Sequence, residues 1–248
     1  MIKYHGTPFG GSKSEAAEAL IGRHAFVSFA APQHLDVSLQ VCQSIALDNG
    51  AFSAWKSGKS VDWNDYFTWV KSMARNPHVD FAVIPDVIDG DEMDNERLIA
   101  QWHQVFHSEY KDFGCPVWHM HESKDKLNYL SRAYYRIAIG SSAQYATVGS
   151  EVWHERMKWA MRILCDDGQP RCKVHMLRGL DPAIFTKYPF ASADSTNAAR
   201  NCNIEKAWKG TYAPPSNSWR ARVIMARVEA YNSTDNFNDL PEWMWPIC

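Results

Sequence analysis

Residues 44–75 open with Ser44-Ile45-Ala46-Leu47, continue through Asp48-Asn49-Gly50-Ala51-Phe52-Ser53, and run on from Trp63 to Arg75 as an amphipathic stretch. The first four residues read as a short buried strand, and Asp-Asn-Gly is turn chemistry. Trp63, Tyr66, Phe67 and Val70 then recur at helical spacing, with Asp62 placed to cap the helix. One strand, one turn and one helix make a βα unit. The same alternation runs almost from end to end. Strands are expected at Ile2–Tyr4, Phe26–Ala30, Ser44–Leu47, Phe81–Pro85, Val117–Met120, Tyr135–Ile139, Lys173–Leu177 and Phe190–Ala193. Helices are expected at Ser14–Ile21, 33–42, Trp63–Arg75, Asp91–Tyr110, Lys124–Ala133, Val152–Leu164, Pro182–Lys187 and Trp219–Tyr231, with Ser12 or Ser14 and Asp181-Pro182 as caps.

The chain has 248 residues, 46% hydrophobic and 22% charged, enough apolar surface for a sizeable core. Disorder is excluded. Barrels of alternating strands and helices fill roughly 200–250 residues as one unit, so residues 1–248 are read as a single domain. A net charge of −2 excludes whole-molecule attraction to nucleic acid and leaves only regional patches. One such region is 197–231, where Arg200, Lys206, Lys209, Arg220, Arg222 and Arg227 face only Glu205 and Glu229, interleaved with Trp208, Tyr212 and Trp219. That composition suits a surface that grips a nucleic-acid backbone, or else a solvated helix face. The cysteines at 42, 115, 165, 172, 202 and 248 include no CxxC pair, which argues against a zinc ribbon or disulfide framework and for reduced thiols in the cytoplasm. No apolar run resembles a signal peptide or a membrane span, so no membrane partner is expected. The polar segment Asn232–Asp239 is the loosest connection.

A doubly wound open sheet would also satisfy the alternation. The residues at the expected strand ends favour a barrel, whose loops converge on one mouth. Those loops hold His5 to Gly11, Asp48 to Ser53, Asp86, His119-Met120-His121-Glu122, Gly140-Ser141-Ser142, Arg178-Gly179 and Asp194-Ser195-Thr196. Taken singly, each has an ordinary reading: Asp86 caps a turn, Asp48 belongs to a turn, His175 is a satisfied core histidine, and Gly10-Gly11 is a plain turn. Three carboxylates at strand ends are harder to assign to chance.

Leu47-Asp48-Asn49-Gly50-Ala51-Phe52 resembles the Asp-Ser-Gly-Gly-Phe segment of the tRNA-guanine transglycosylases. Asp86 resembles that family's base-recognising aspartate, Ile139-Gly140-Ser141 its Gly-Gly segment, and Lys173 to Gly179 followed by Asp194 the stretch ending in its nucleophile. Thr196-Asn197-Ala198-Ala199-Arg200 is similar to the segment after that nucleophile. The resemblance spans roughly residues 44–200 and lies in the order of the segments. The family's glutamine after strand five is replaced by the His119-Met120-His121 region, and its CxCxxC zinc site has no counterpart. A small version without zinc is similar to the phage and bacterial DpdA proteins, transglycosylases that place 7-deazaguanine bases in DNA.

The resemblance implies a trimmed TIM-type (β/α)8 barrel without a zinc-binding C-terminal subdomain. It implies exchange of guanine in DNA for a 7-deazaguanine base, 7-cyano-7-deazaguanine being the first expectation, with no cofactor, in a monomer that protects phage DNA from restriction. Asp194 would be the nucleophile and Asp48 the acid/base. Asp86, Phe52, Gly140, Ser141, His119, His121 and Met176 would hold the base, and Arg200, Lys206, Lys209, Arg220 and Arg222 the nucleic acid, with the target nucleotide flipped out or single-stranded. Three alternatives stay open at this point. The acceptor could be tRNA. The chain could be a metal-dependent hydrolase using His119 and His121 with His5, His175 and Asp194. It could also be a non-catalytic nucleic-acid-binding barrel.

Overall fold

The computed structural model describes residues 1–9, 12–106, 110, 112–204, 208 and 211–237. Its strands are β1 (Ile2–Gly6), β2 (His24–Ser28), β3 (Ser44–Asp48), β4 (Val79–Val83), β5 (Gly114–Cys115), β6 (Val117–His119), β7 (Arg136–Gly140), β8 (Cys165–Asp166), β9 (Gln169–Pro170), β10 (Lys173–Met176) and β11 (Ser192–Ser195). Nine of them form one parallel sheet in the order β5-β4-β3-β2-β1-β11-β10-β7-β6, and β8 and β9 make a separate antiparallel hairpin. The two end strands of the sheet are neighbours in the chain, separated by Pro116 alone. Proline has no N–H to offer a ladder. On one side of it β5 pairs with β4, and on the other β6 pairs with β7, so the sheet curls into a nearly closed barrel.

Helices α1 (Lys13–Leu20), α2 (Leu35–Val41), α3 (Ala51–Ser57), α4 (Trp63–Met73), α5 (Glu92–Val105), α6 (Lys124–Ala133), α7 (Glu151–Leu164), α8 (Pro182–Phe185), α9 (Asn197–Asn201) and α10 (Asn217–Glu229) fill the connections and follow the last strand. Their starts are written locally. Ser12 closes a capping box with Glu15, Asp91 one with Asp94, and the Asp62 carboxylate accepts from the N–H groups of Asn64 and Asp65. Among the described residues no helix is long and apolar enough to cross a membrane.

Strand side chains alternate between two faces, and the core divides accordingly. Tyr4, Phe26, Ala46, Phe81, Val83, Cys115, Val117 and Ala138 fill the barrel interior. Val27, Ile45, Leu47, Ala82, Ile84, Trp118, Ile137 and Met176 point the other way, into the layer under the helices with Tyr66, Trp102 and Trp153. At the N-terminal end of the interior, Asp80 accepts from Tyr4 and Ser44, and the Arg136 guanidinium lies 4.4 Å from the Phe81 ring centroid.

The expected strands are all present with shifted ends. The second begins at His24 rather than Phe26, because His24 and Ala25 pair with Ser44 and Ile45 although they carry little apolar signal. The last begins at Ser192 rather than Phe190, and the first extends to Gly6. The fifth gains Gly114–Cys115 ahead of the proline. Helices α3 and α9 were not expected. The former starts at Gly50, whose φ of +79° is left-handed and where a Cβ would stand 2.9 Å from the Ala30 nitrogen.

Trp102, 1% exposed and stacked on Phe106 at 4.0 Å, tests the outer layer. Trp102→Ala is expected to cost about 3–5 kcal/mol in urea unfolding, against about 1 kcal/mol for the cap variant Asp62→Ala.

Candidate active site

Because all the sheet strands run parallel, the last inward residue of each ends at one mouth. On β3 the inward series Ser44, Ala46 ends in Asp48. On β6 it ends in His119, on β7 in Gly140, and on β11 Ser192 is followed by Asp194. Asp86 arrives two residues beyond Ile84. These residues line one cavity of about 510 Å3, together with Phe52, Ser141 and Arg200. That volume lies within the usual range for a small-molecule site. Gly140 is needed for space: a Cβ there would stand 2.9 Å from His119 Nδ1 and 3.1 Å from Val117 Cγ1.

Asp194 is 5% exposed, and its Oδ1 accepts the Arg178 backbone N–H at 2.8 Å. Arg178 adopts φ +58°, a left-handed conformation uncommon for a residue with a Cβ. Its guanidinium donates to the Ser141 carbonyl at 2.8 Å and lies 4.4 Å from the Phe52 ring centroid. One residue thus orients the carboxylate, braces the β7 loop and covers the aromatic ring. Ser141 is braced a second time, its hydroxyl accepting the Trp153 indole N–H at 2.9 Å.

Asp86 is 6% exposed and accepts from Asn49 Nδ2 at 2.6 Å on one oxygen, while His119 Nε2 lies 2.8 Å from the other. Burial acts to lower the His119 pKa, but the Asp86 hydrogen bond and the charges of Asp86 and Glu122 outweigh it, and the net shift is upward. Glu122 completes the support: it accepts the His119 backbone N–H at 2.8 Å and Asn95 Nδ2 at 3.0 Å. A carboxylate has about four lone-pair sites, so Asp86 keeps two for a ligand.

Asp48 behaves differently. Burial pushes its pKa up, the nearby Asp194 and Asp86 charges push it further, and hydrogen bonds from Ser28 and the Gly50 N–H only partly oppose this; the result is about 7. Close to neutrality it can give or take a proton. Above this acidic floor, Lys56, Arg178 and Arg200 are exposed residues lining the same cavity.

Other expected residues are not brought to the cavity. Met176 is fully buried on the outer face of β10, because its neighbours His175 and Leu177 take the inward positions. His121 lies beyond the strand end, bonded to Ser142 Oγ at 2.7 Å and facing the Gly90 carbonyl at 3.1 Å, with its ring stacked behind His119. Arg220 and Arg222 sit on α10, where Arg220 donates to the Pro214 carbonyl and Arg222 lies over Trp219; neither lines the cavity. Lys206 and Lys209 lie outside the described residues. His5 points outward from β1 to Glu229 at 2.9 Å, so the five-residue metal set does not converge. Among the described residues no group of three or more His, Cys, Asp or Glu is arranged to hold a metal ion.

Sequence reasoning did not single out Asn49, Lys56, Arg178 or Glu122 as site residues. Asn49 was absorbed into the turn, and the left-handed backbone of Arg178 leaves no mark in composition. No family model, curated protein or solved structure matches the chain.

An aspartate with a raised pKa holds its proton in the folded state and loses it in the unfolded state, so it costs stability as pH rises from about 4 to about 7. Asp48→Asn removes that cost. Urea unfolding should show the variant gaining on the wild type across this window, with the gap constant above about pH 8.

Proposed function

We propose that this chain is a DNA-guanine transglycosylase, exchanging guanine for a 7-deazaguanine base, 7-cyano-7-deazaguanine in the first instance. The sheet is then a (β/α)8 barrel in which residues 114–119 count as one strand interrupted at Pro116. The observation that carries the reading is the meeting of Asp48, Asp86 and Asp194, each from a different strand end, in one cavity with Phe52 and Gly140. The choice of DNA as acceptor rests on the sequence resemblance alone.

The chemistry needs each group in a distinct state. An Asp194 oxygen attacks C1′ of the target nucleotide and the C1′–N9 bond breaks, its electron pair staying on N9. Asp48, protonated, delivers a proton to that nitrogen, and neutral guanine leaves. The incoming deazaguanine then gives its N9 proton to the Asp48 carboxylate. Its N9 attacks C1′, the C1′–O bond to Asp194 breaks, and both carboxyl groups return to their starting states. A pKa near 7 suits a group that must do both transfers. Asp86, bonded to Asn49 and His119, has lone pairs left for the N1–H and amino donors of a guanine edge, and Phe52 supplies an apolar face for stacking. The exposed cations Lys56, Arg178 and Arg200 would meet the flanking phosphates.

The test is incorporation of radiolabelled guanine or 7-cyano-7-deazaguanine into DNA and tRNA offered separately. DNA is expected to be labelled. Asp194→Asn should lose at least about 10³-fold in rate and Asp48→Asn about 10²-fold. Labelling of tRNA alone would overturn the acceptor, and full exchange by Asp194→Asn would overturn the covalent route.

A further inference from the structure

Beneath the cavity floor lies a group that the exchange chemistry has not yet used. β10 and β11 pair in parallel with His175 opposite Ser192, and the alternation turns both side chains into the barrel. His175 is fully buried, its ring centroid 5.2 Å from Phe81, 5.3 Å from Phe26 and 5.9 Å from Tyr4. An imidazole in such a lining carries a desolvation cost unless its nitrogens are partnered. His175 Nδ1 lies 2.9 Å from Ser192 Oγ. Its Nε2 has no hydrogen-bond partner and lies 3.5 Å from Asp194 Oδ1. A core histidine placed for packing alone has no reason to aim an unpaired nitrogen at a carboxylate.

Asp194 selects the tautomer. A carboxylate oxygen can only accept, so the ring proton belongs on Nε2, facing Oδ1. Nδ1 is then left to accept from the Ser192 hydroxyl, whose oxygen also accepts from Arg136 Nη1 at 3.3 Å. The charged groups acting on His175 are Asp194 from β11 and Arg136 from β7; burial, the largest effect, keeps the ring neutral against the pull of Asp194.

We propose that His175 is a positioning residue for Asp194: its Nε2–H, oriented by the Arg136–Ser192 chain, holds Oδ1 together with the Arg178 N–H and leaves Oδ2 as the attacking oxygen. The proposal rests on the reading of Asp194 as the nucleophile. The 3.5 Å separation is long for a hydrogen bond, and contacts of this kind tighten when a substrate is bound.

Nitrogen-15 NMR of the full-length protein labelled in histidine is expected to show His175 protonated at Nε2 and bare at Nδ1; the opposite tautomer overturns the proposal. In the exchange assay, His175→Leu is expected to lose about tenfold in kcat with KM little changed, and the acidic limb of its pH profile should move up by about one unit as Asp194 loses a donor. His175→Gln, which can offer an amide N–H in that direction, should recover part of both. Ser192→Ala, which takes away the partner of Nδ1 and so loosens the ring's orientation, should fall between wild type and His175→Leu. Wild-type kcat and profile in His175→Leu would overturn the proposal. If the wild type exchanges no base with either acceptor, the transglycosylase reading fails by itself. Carbon-13 titration of the Asp194 carboxyl in wild type and His175→Leu then still decides the link: a higher pKa in the variant supports it, and an unchanged one overturns it.

Discussion

The alternation of side chains along strands that all run one way is the constraint from which the rest of this molecule follows. A residue two positions further along a strand stands one layer higher inside the barrel, and the top layer of every strand opens on the same mouth. On β3 this ladder reads Ser44, Ala46, Asp48; on β11 it reads Ser192, Asp194. Moving either strand by one residue would turn its carboxylate out under the helices and bring an apolar neighbour inward. The buried apolar residues facing outward, Ile45, Leu47 and Ala193, therefore fix which face the acidic residues occupy.

Packing three aspartates into one partly desolvated cavity is electrostatically unfavourable unless their charges are separated in kind. The structure does so by giving each a different partner. Asp86 faces His119, whose pKa is drawn upward by Asp86 and Glu122. Asp194 receives a backbone N–H from Arg178. Asp48 is pushed up chiefly by burial, which a serine hydroxyl and one backbone N–H only partly oppose, and its pKa rises to about 7. The raised pKa of Asp48 arises from burial and neighbours alone, since the three side chains are identical.

Much of the architecture was legible in the chain. The βα rhythm, the caps at Ser12, Asp62 and Asp181, and the clustering of Asp48, Asp86 and Asp194 at strand ends all rest on local patterns that fold with little help from distant residues. Strand ends were less legible, because His24 joins the sheet through backbone pairing that its polarity disguises. Met176 was expected beside the base on the strength of resemblance, yet strand parity assigns that position to its neighbours. Arg178 was noted only as part of a loop, and its link to Asp194, Ser141 and Phe52 depends on a left-handed turn that its residue type does not advertise.

His175 marks the boundary most clearly. From sequence it is a polar residue in an apolar strand, and a satisfied core histidine is the ordinary reading. Only the tertiary structure puts Ser192 against one ring nitrogen and Asp194 near the other. The sequence alone determined which residues alternate, where helices begin and which strands end in carboxylates, because those properties depend on neighbours a few positions away. The tertiary structure decided which carboxylate faces a histidine, which keeps a proton near neutrality and which side chains miss the cavity, because charge and burial depend on atoms brought together from opposite ends of the chain.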